Sequence, residues 1–187
     1  MLKIYLGCIF ALLVSATALA GPKLDSLLVY GKDFIFSVEE PIGWVADTKR
    51  ADEYQCNILI YPGSHDWKNS DGMIRIRVDD KTDEHVDKDL AADMNDYRSH
   101  YPNVQFADII ASHPEYRVYP KVFYIPNNFY EYVAYVNPGP QSALMFSVAM
   151  NKQKIKASQN ELTAFREAIA SLRMLKSPKP SAPANGP

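Results

Sequence analysis

The segment between residues 85 and 100 carries the densest set of side chains that could do chemistry. His85, Asp89, Asp93, Asp96 and His100 recur at spacings of three or four residues, so a helix would place them along one stripe. Carboxylates bind hard cations, and histidine suits zinc. The two histidines would be ~22 Å apart, too far to share an ion. A metal site could therefore include at most neighbours such as His85, Asp89 and Asp93, and the alternative is a solvated helix face.

Ser64, His65 and Asp66 are the residue types of a hydrolase triad, but they are adjacent in the chain. A working triad needs each side chain to hydrogen-bond the next in line, which adjacent residues rarely achieve. The chain also has no G-x-S-x-G sequence, no glycine-rich phosphate loop and no cysteine pattern typical of zinc sites. We therefore expect no catalytic residues and no cofactor. The alternative is a metal-assisted hydrolase that uses Asp89 and Asp93.

The first twenty residues have the features of a secretory signal peptide. Lys3 gives a positive start, residues 4–14 form an apolar run, and Ala18 and Ala20 are the small residues that signal peptidase requires. The run is shorter than the ~20 apolar residues of a membrane-spanning helix. We expect cleavage before Gly21 and a periplasmic or secreted mature chain without a transmembrane span.

Charge composition and cysteine content argue against further kinds of partner and against a disulfide. The chain has 20 basic and 22 acidic residues and no basic run, which argues against nucleic acid or an anionic membrane as the main partner. Cys8 lies in the predicted leader, so Cys56 would remain alone and no intramolecular disulfide could form. We expect Cys56 to be a buried, inert thiol rather than a nucleophile.

Apolar periodicity predicts the elements that must position these residues. Alternation predicts strands near residues 32–38, 54–61 and 73–78, the last with Arg75 and Arg77 pointing outward. A stripe from Val86 to Tyr101 predicts an amphipathic helix, which Thr82 or Asp83 would cap. Further strands are predicted near 104–111, 116–125, 130–136 and 143–150. A last helix is predicted over residues 159–175, with Ser158 and Glu161 as a capping box.

These elements predict an α+β fold. Short connections between consecutive strands imply antiparallel pairing, and the later strands carry apolar residues on both faces. We therefore expect an antiparallel sheet of about six to seven strands with helices packed on both faces, an α/β/α sandwich. Residues 21–176 would form a single domain. Residues 177–187, rich in proline, alanine and serine, are expected to be disordered.

The predicted order of elements resembles a known family. The stretch Phe34–Val38, followed by Pro41 and Gly43-Trp44, resembles the opening of PsbP-like and DcrB-like domains, and the ending over residues 143–150 and 161–174 is similar to theirs. This group includes the PsbP subunit of photosystem II, bacterial DcrB-like envelope proteins and Ran-binding Mog-type proteins. The resemblance implies a sandwich fold and a binding or accessory role, but it selects no partner. The bacterial-style leader argues against the plant photosystem role.

Aromatic residues supply the candidate partner-binding surface. Six tyrosines lie between residues 116 and 135, where recognition or ordinary sheet packing would use them. The polar loop over residues 62–72 is longer than a hairpin requires and carries one tryptophan. The candidate contact residues are Trp67, His65, Asp66, Tyr119, Tyr130 and Tyr132.

The sequence thus predicts a non-catalytic binding or accessory protein of the bacterial envelope that acts through protein–protein contact. One alternative within this class is an immunity-type protein that neutralises a toxin delivered into the periplasm. The partner would be another envelope protein or such a toxin. A neighbouring toxin gene or a co-purifying partner would discriminate between the two.

Overall fold

A computed structural model describes residues 26–64, 68, 70–82 and 85–179. Its helices are α1 (Val86–His100), α2 (Gln159–Ser171) and a short 3-10 helix (Ala51–Tyr54). Its strands are β1 (Ser26–Tyr30), β2 (Ile35–Glu39), β3 (Trp44–Asp47), β4 (Ile58–Pro62), β5 (Ile74–Asp80), β6 (Gln105–Asp108), β7 (Arg117–Ile125), β8 (Phe129–Asn137), β9 (Leu144–Gln153) and β10 (Arg173–Lys176).

The strands form two antiparallel sheets. The large sheet has seven strands in the order β3-β4-β5-β9-β8-β7-β6, and the small sheet has three in the order β1-β2-β10. Two runs of consecutive neighbours, β3 to β5 and β6 to β9, build the large sheet. The β5–β9 ladder joins them and pairs Ile74 with Met150 and Asp80 with Leu144.

The prediction of a sheet with helices packed on both faces is wrong. The described part of the chain is mostly antiparallel strand and has two α-helices, and a second sheet together with α2 covers one face of the large sheet. Side chains from the large sheet, the small sheet and α2 meet in this main core. Among its residues, those that are at most 1% exposed include Phe36, Val38, Phe146, Phe165 and Ile169. The second layer is therefore a sheet with one helix, not a layer of helices.

The small sheet was missed because two of its strands are short and depend on tertiary pairing. β1 and β10 have five and four residues, and each pairs only with β2. The predicted last helix ran to residue 175. In the structure it ends at Ser171, and the extended backbone of Leu172 leads directly into β10. Pairing with β2 overrides the local helical pattern there.

The helix termini follow the sequence only in part. At α2 the predicted capping box is confirmed: the Glu161 N–H donates to Ser158 Oγ at 3.3 Å, and the Ser158 N–H donates to Glu161 Oε2 at 2.6 Å. By contrast, α1 begins after His85 without a side-chain capping bond. The Thr82 hydroxyl donates to the Asp89 carboxylate instead of capping the helix.

The opposite face of the large sheet is covered in two separate places. At one place α1 packs over β7 and β8 in a cluster of Val86, Leu90, Phe123, Val133, Tyr135 and Met145. At the other place Ala51, Cys56 and Leu59 form a small cluster under the 3-10 helix, beside β4. In sheet order β5 and β9 lie between these clusters, and there the face is lined by polar side chains.

Several predicted features lie outside the described residues. They include the leader, His65, Asp66 and Trp67, the candidate cap Asp83, and residues 180–187 of the predicted tail. Just before that last stretch, the Pro178 carbonyl accepts a hydrogen bond from the Ala143 N–H at 3.1 Å. None of the helices in the described part of the chain has the length and apolar character needed to cross a membrane.

Candidate functional site

A groove crosses the polar part of the large sheet between α1 and the 3-10 helix. Arg75 and Arg77 of β5 pair with Ala149 and Ser147 of β9, and Val133 and Tyr135 of β8 lie beyond. In each of these rows across the sheet, the small side chain on β9, Ala149 or Ser147, lies between larger side chains on β5 and β8. This leaves a cavity of about 140 Å³. Asp93 and Glu131 also line this cavity, and Arg75 forms an ion pair with Glu131 at 3.3 Å. We call this part, where Arg75 and Arg77 lie beside Ser147 and Ala149, the cationic end of the groove.

A second depression of about 300 Å³ adjoins the first. Its aromatic lining comes from Tyr97 of α1, from Tyr101 directly after that helix, and from Phe129 and Tyr130 of β8. The ring centroids of Tyr101 and Phe129 are 5.4 Å apart, and those of Tyr97 and Tyr101 are 6.0 Å apart. Its polar lining comes from Asn128, Asn151 and Gln153 and from the charged residues Glu131 and Lys152. We call this part the aromatic end.

A chain of hydrogen bonds joins the two ends. The Tyr97 hydroxyl donates to the Glu131 carboxylate. Arg75 donates through Nη2 to Glu131 Oε1 at 3.3 Å and to Asn151 Oδ1 at 3.0 Å. Tyr97 and Glu131 line both depressions, so the two form one continuous groove. Along β8 it runs from Tyr135 to Phe129, a length of roughly 20 Å.

One face of α1 forms a wall of this groove. Asp93, Tyr97 and Tyr101 recur every four residues and therefore share one side of the helix. The Tyr135 hydroxyl donates to Asp93, which fixes the wall to the sheet at the cationic end. Tyr97 packs edge-on against Phe123 at a centroid distance of 4.8 Å. The groove is thus built on rigid elements rather than on loops.

The protonation states of the groove follow from burial and from these pairs. Burial raises the pKa of Tyr97, and the adjacent Glu131 carboxylate raises it further. Burial likewise raises the pKa of Tyr135, and the hydrogen bond to Asp93 adds to the shift. A hydrogen bond to Asp79 raises the pKa of Arg77. Both tyrosines are therefore protonated donors at neutral pH, and Arg77 is charged.

Cys56 borders the cationic end, and the prediction that it is buried is confirmed. Burial raises the pKa of the thiol to about 11, and Sγ lies 3.5 Å from the Ala51 carbonyl oxygen. Strict alternation through the strand predicted near residues 54–61 would place Cys56 on the same face as Ile58 and Ile60, but the structure places it on the opposite face. Gln55 is left-handed, at φ 52°, and it turns the chain so that Cys56 packs with Leu59 on the other face.

The structure does not bring the candidate metal ligands together. Asp89 accepts a hydrogen bond from Thr82, Asp93 accepts one from Tyr135, and His85 is exposed at the start of α1. Within the described ranges, no group of three histidine, cysteine or acidic side chains is placed to hold a metal ion.

The candidate partner-binding tyrosines do not form one surface, because Tyr119 lies on the opposite face of the sheet from Tyr130 and Tyr132. Tyr130 and Tyr132 are 7% and 5% exposed and belong to the main core, although Tyr130 also borders the aromatic end. The Tyr132 hydroxyl accepts the Ala157 N–H at 3.0 Å. Tyr119 is half-buried on the α1 side of the sheet. The sequence left two uses open for these tyrosines, partner recognition and ordinary sheet packing, and their positions correspond to sheet packing.

Of the residues that line the groove, the sequence analysis proposed a function for Asp93, as a metal ligand, and for Tyr130, as a contact residue. Others were predicted only as parts of strands and helices. Arg75 and Arg77 were predicted to be the outward face of a strand, and Tyr97 and Tyr101 were assigned to the apolar stripe of α1. Glu131 carried no signal, because the hydrogen bonds that place it come from residues 34 and 56 positions away.

Comparisons with known proteins give no family. No protein-family model matches the chain, and no curated protein matches its sequence. The resemblance to PsbP-like and DcrB-like domains therefore stays a prediction from sequence pattern.

Proposed function

We propose that this protein is a non-catalytic binding protein of the bacterial envelope, and that it contacts another protein through the groove beside α1. The observation that carries the proposal is an open groove, roughly 20 Å long, whose ionisable side chains are held by neighbours. Its floor is the joint between two halves of the large sheet, and its wall is a helix. Because these side chains are already ordered, the surface loses little conformational entropy when it binds a partner.

The chemistry of the groove supports binding rather than turnover. A nucleophilic cysteine needs a lowered pKa, whereas the pKa of Cys56 is raised. The carboxylates that line the groove are held by protein donors: Glu131 accepts hydrogen bonds from Tyr97 and Arg75, and Asp93 accepts one from Tyr135.

The composition of the groove also supports contact with a protein. Tyrosine and arginine are the residues most enriched where interfaces draw their binding energy. Arg75, Arg77, Tyr97 and Tyr101 supply both types along a single surface. The envelope location rests on the leader pattern of residues 1–20, and an exported chain would meet partners there.

Site-specific photocrosslinking tests the proposal. A photoreactive phenylalanine analogue replaces Tyr101 in the groove, and the same analogue at Ile110 serves as the control. Ile110 is more exposed than Tyr101, at 82% against 46%, and lies outside the groove. In cells of the native host we expect a discrete crosslinked protein from position 101 and none from position 110. Equal crosslinking at both positions, or none at 101, would contradict the proposal.

A further inference from the structure

We propose that the occupant of the groove is an extended peptide segment of the partner, with an acidic side chain at the cationic end and an aromatic side chain at the aromatic end. The inference rests on the proposed function and adds the chemistry of the partner. Three observations carry it: unused arginine donors, a half-exposed aromatic cluster, and the distance between them.

The cationic end has more hydrogen-bond donors than the protein uses. Among the described residues, Arg77 has a hydrogen bond only through Nε, to Asp79, and Arg75 only through Nη2. The remaining N–H groups of both guanidinium groups have no acceptor among the residues that the structure describes. An arginine fork matches the two oxygens of a carboxylate in a bidentate pair. A peptide carboxylate would therefore satisfy donors that are otherwise left to water.

The positions of the two arginines favour an anionic group between them. Arg75 and Arg77 lie two positions apart on one strand face, about 7 Å apart along the backbone. The carboxylates that line the groove already accept hydrogen bonds, Glu131 from Tyr97 and Arg75, and Asp93 from Tyr135. The groove therefore offers a ligand more free hydrogen-bond donors than free acceptors, and this favours a ligand side chain that is rich in acceptors.

The aromatic end offers a surface for a ring. Tyr101 is 46% exposed although it contacts Tyr97 and Phe129. Aromatic pairs prefer tilted or edge-to-face arrangements at centroid distances of about 4.5–7 Å. A ligand ring on Tyr101 would extend the existing cluster, and the neighbouring amides of Asn128 and Gln153 could bond the peptide backbone.

The register of the sheet sets the spacing between the two ligand side chains. In the large sheet Arg75 shares a row with Val133, and Phe129 lies four positions further along β8. Four positions on a strand span about 13 Å, which an extended peptide covers with about four residues. The acidic and the aromatic residue of the partner should therefore be about four positions apart.

Selection from a phage-displayed library of random decapeptides tests the inference. The wild-type protein should enrich sequences with Asp or Glu about four positions from Phe, Tyr or Trp. The variant R77Q should lose the acidic preference and keep the aromatic one, and Y101A should do the reverse. The matched control R117Q changes an exposed arginine outside the groove and should select as the wild type does.

A synthetic peptide from the wild-type selection then gives a quantitative test by fluorescence anisotropy. We expect R77Q to weaken its binding at least tenfold, and R117Q to change it less than twofold, with all variants folded by circular dichroism. Selection of no consensus, or of one without an acidic residue, would overturn the inference, as would equal binding by R77Q.

The two proposals fail separately. A crosslink from position 101 without an acidic–aromatic consensus would leave the groove as the contact surface and reject its peptide ligand. An acidic–aromatic consensus without any crosslink in cells would support the ligand chemistry and reject the physiological contact.

Discussion

At the scale of single residues, His113 is held as a neutral acceptor. Its Nδ1 accepts the backbone N–H groups of Glu115 at 3.0 Å and Tyr116 at 2.8 Å. Its Nε2 lies 2.7 Å from the Leu172 carbonyl oxygen and 2.6 Å from Nη1 of Arg173. Burial lowers the pKa of His113 below 6.5, and Arg173 lowers it further. A proton on Nδ1 would break both of these backbone hydrogen bonds, so the neutral ring is needed to hold the segment before β7.

This geometry predicts a loss of stability in acid. Because the pKa of His113 is lower in the folded state, the unfolded state binds more protons as the pH falls below about 6.5, and the free energy of unfolding decreases. Urea unfolding at pH 7.5 and 5.5 measures the effect. The variant H113Q should show a smaller pH dependence, while H100Q, at an exposed helix end, should behave as the wild type does. An unchanged pH dependence in H113Q would contradict this role.

The burial of Cys56 predicts how fast its thiol reacts. Since it is buried and its pKa is raised to about 11, a disulfide reagent at neutral pH should modify the native protein slowly. Adding denaturant should make the reaction at least tenfold faster, because unfolding exposes the thiol and restores its ordinary pKa. The absorbance of the released thiolate follows the rate. Rapid modification without denaturant would show an accessible, activated thiol.

At the scale of elements, a buried charge cluster joins β9, α2 and the turn before β5. Lys152 is 4% exposed, and its Nζ lies 2.7 Å from Glu161 Oε1 and 2.9 Å from Asp71 Oδ2. Burial opposes its charge, but the hydrogen bonds to Glu161 and Asp71 raise the pKa of Lys152 overall. Gly72, at φ +97°, lies directly against this cluster, and a side chain would not fit there because its Cβ would lie 2.6 Å from Glu161 Oε1.

Removing the lysine should therefore destabilise the fold. K152A leaves two carboxylates without their buried cation, which we expect to cost about 3 kcal/mol in the free energy of unfolding. The matched control K156A removes an exposed lysine from the next loop and should change it by less than about 0.5 kcal/mol. Chemical denaturation gives both values. A loss below about 1 kcal/mol in K152A would mean that the cluster contributes little.

The elements also show what the sequence could predict. β5, β7, β8 and β9 and both helices follow from apolar periodicity, and the capping box marks the start of α2. β1, β3 and β10 were missed. β1 and β3 pair with the next strand in the chain but show no clear alternation of apolar and polar residues, and β10 forms only by pairing with β2, which lies far away in the sequence. The groove was not predicted as a site, because it appears only when β5 and β9 pair.

At the scale of the whole molecule, the main core and the groove lie on opposite faces of the large sheet. The small sheet and α2 bury the first face, while α1 and the 3-10 helix leave the second partly open. Binding can therefore be altered without loss of the fold. We expect R77Q to melt within about 2 °C of the wild type by calorimetry, since exposed substitutions rarely exceed about 0.5 kcal/mol. A large drop would make Arg77 part of the structural framework.

Backbone amide chemical shifts of the labelled protein, recorded while the crosslinked partner or the selected peptide is added, test the central claim most directly. We predict perturbations along β5, β9 and the side of α1 that carries Asp93, Tyr97 and Tyr101, with β1 and β2 unchanged. Without ligand, the spectrum of the R77Q variant should differ from that of the wild type only near residue 77 and its neighbours on β9, and with ligand the perturbations should be weaker. Perturbations confined to the small sheet, or to the loop between β4 and β5, would contradict the account.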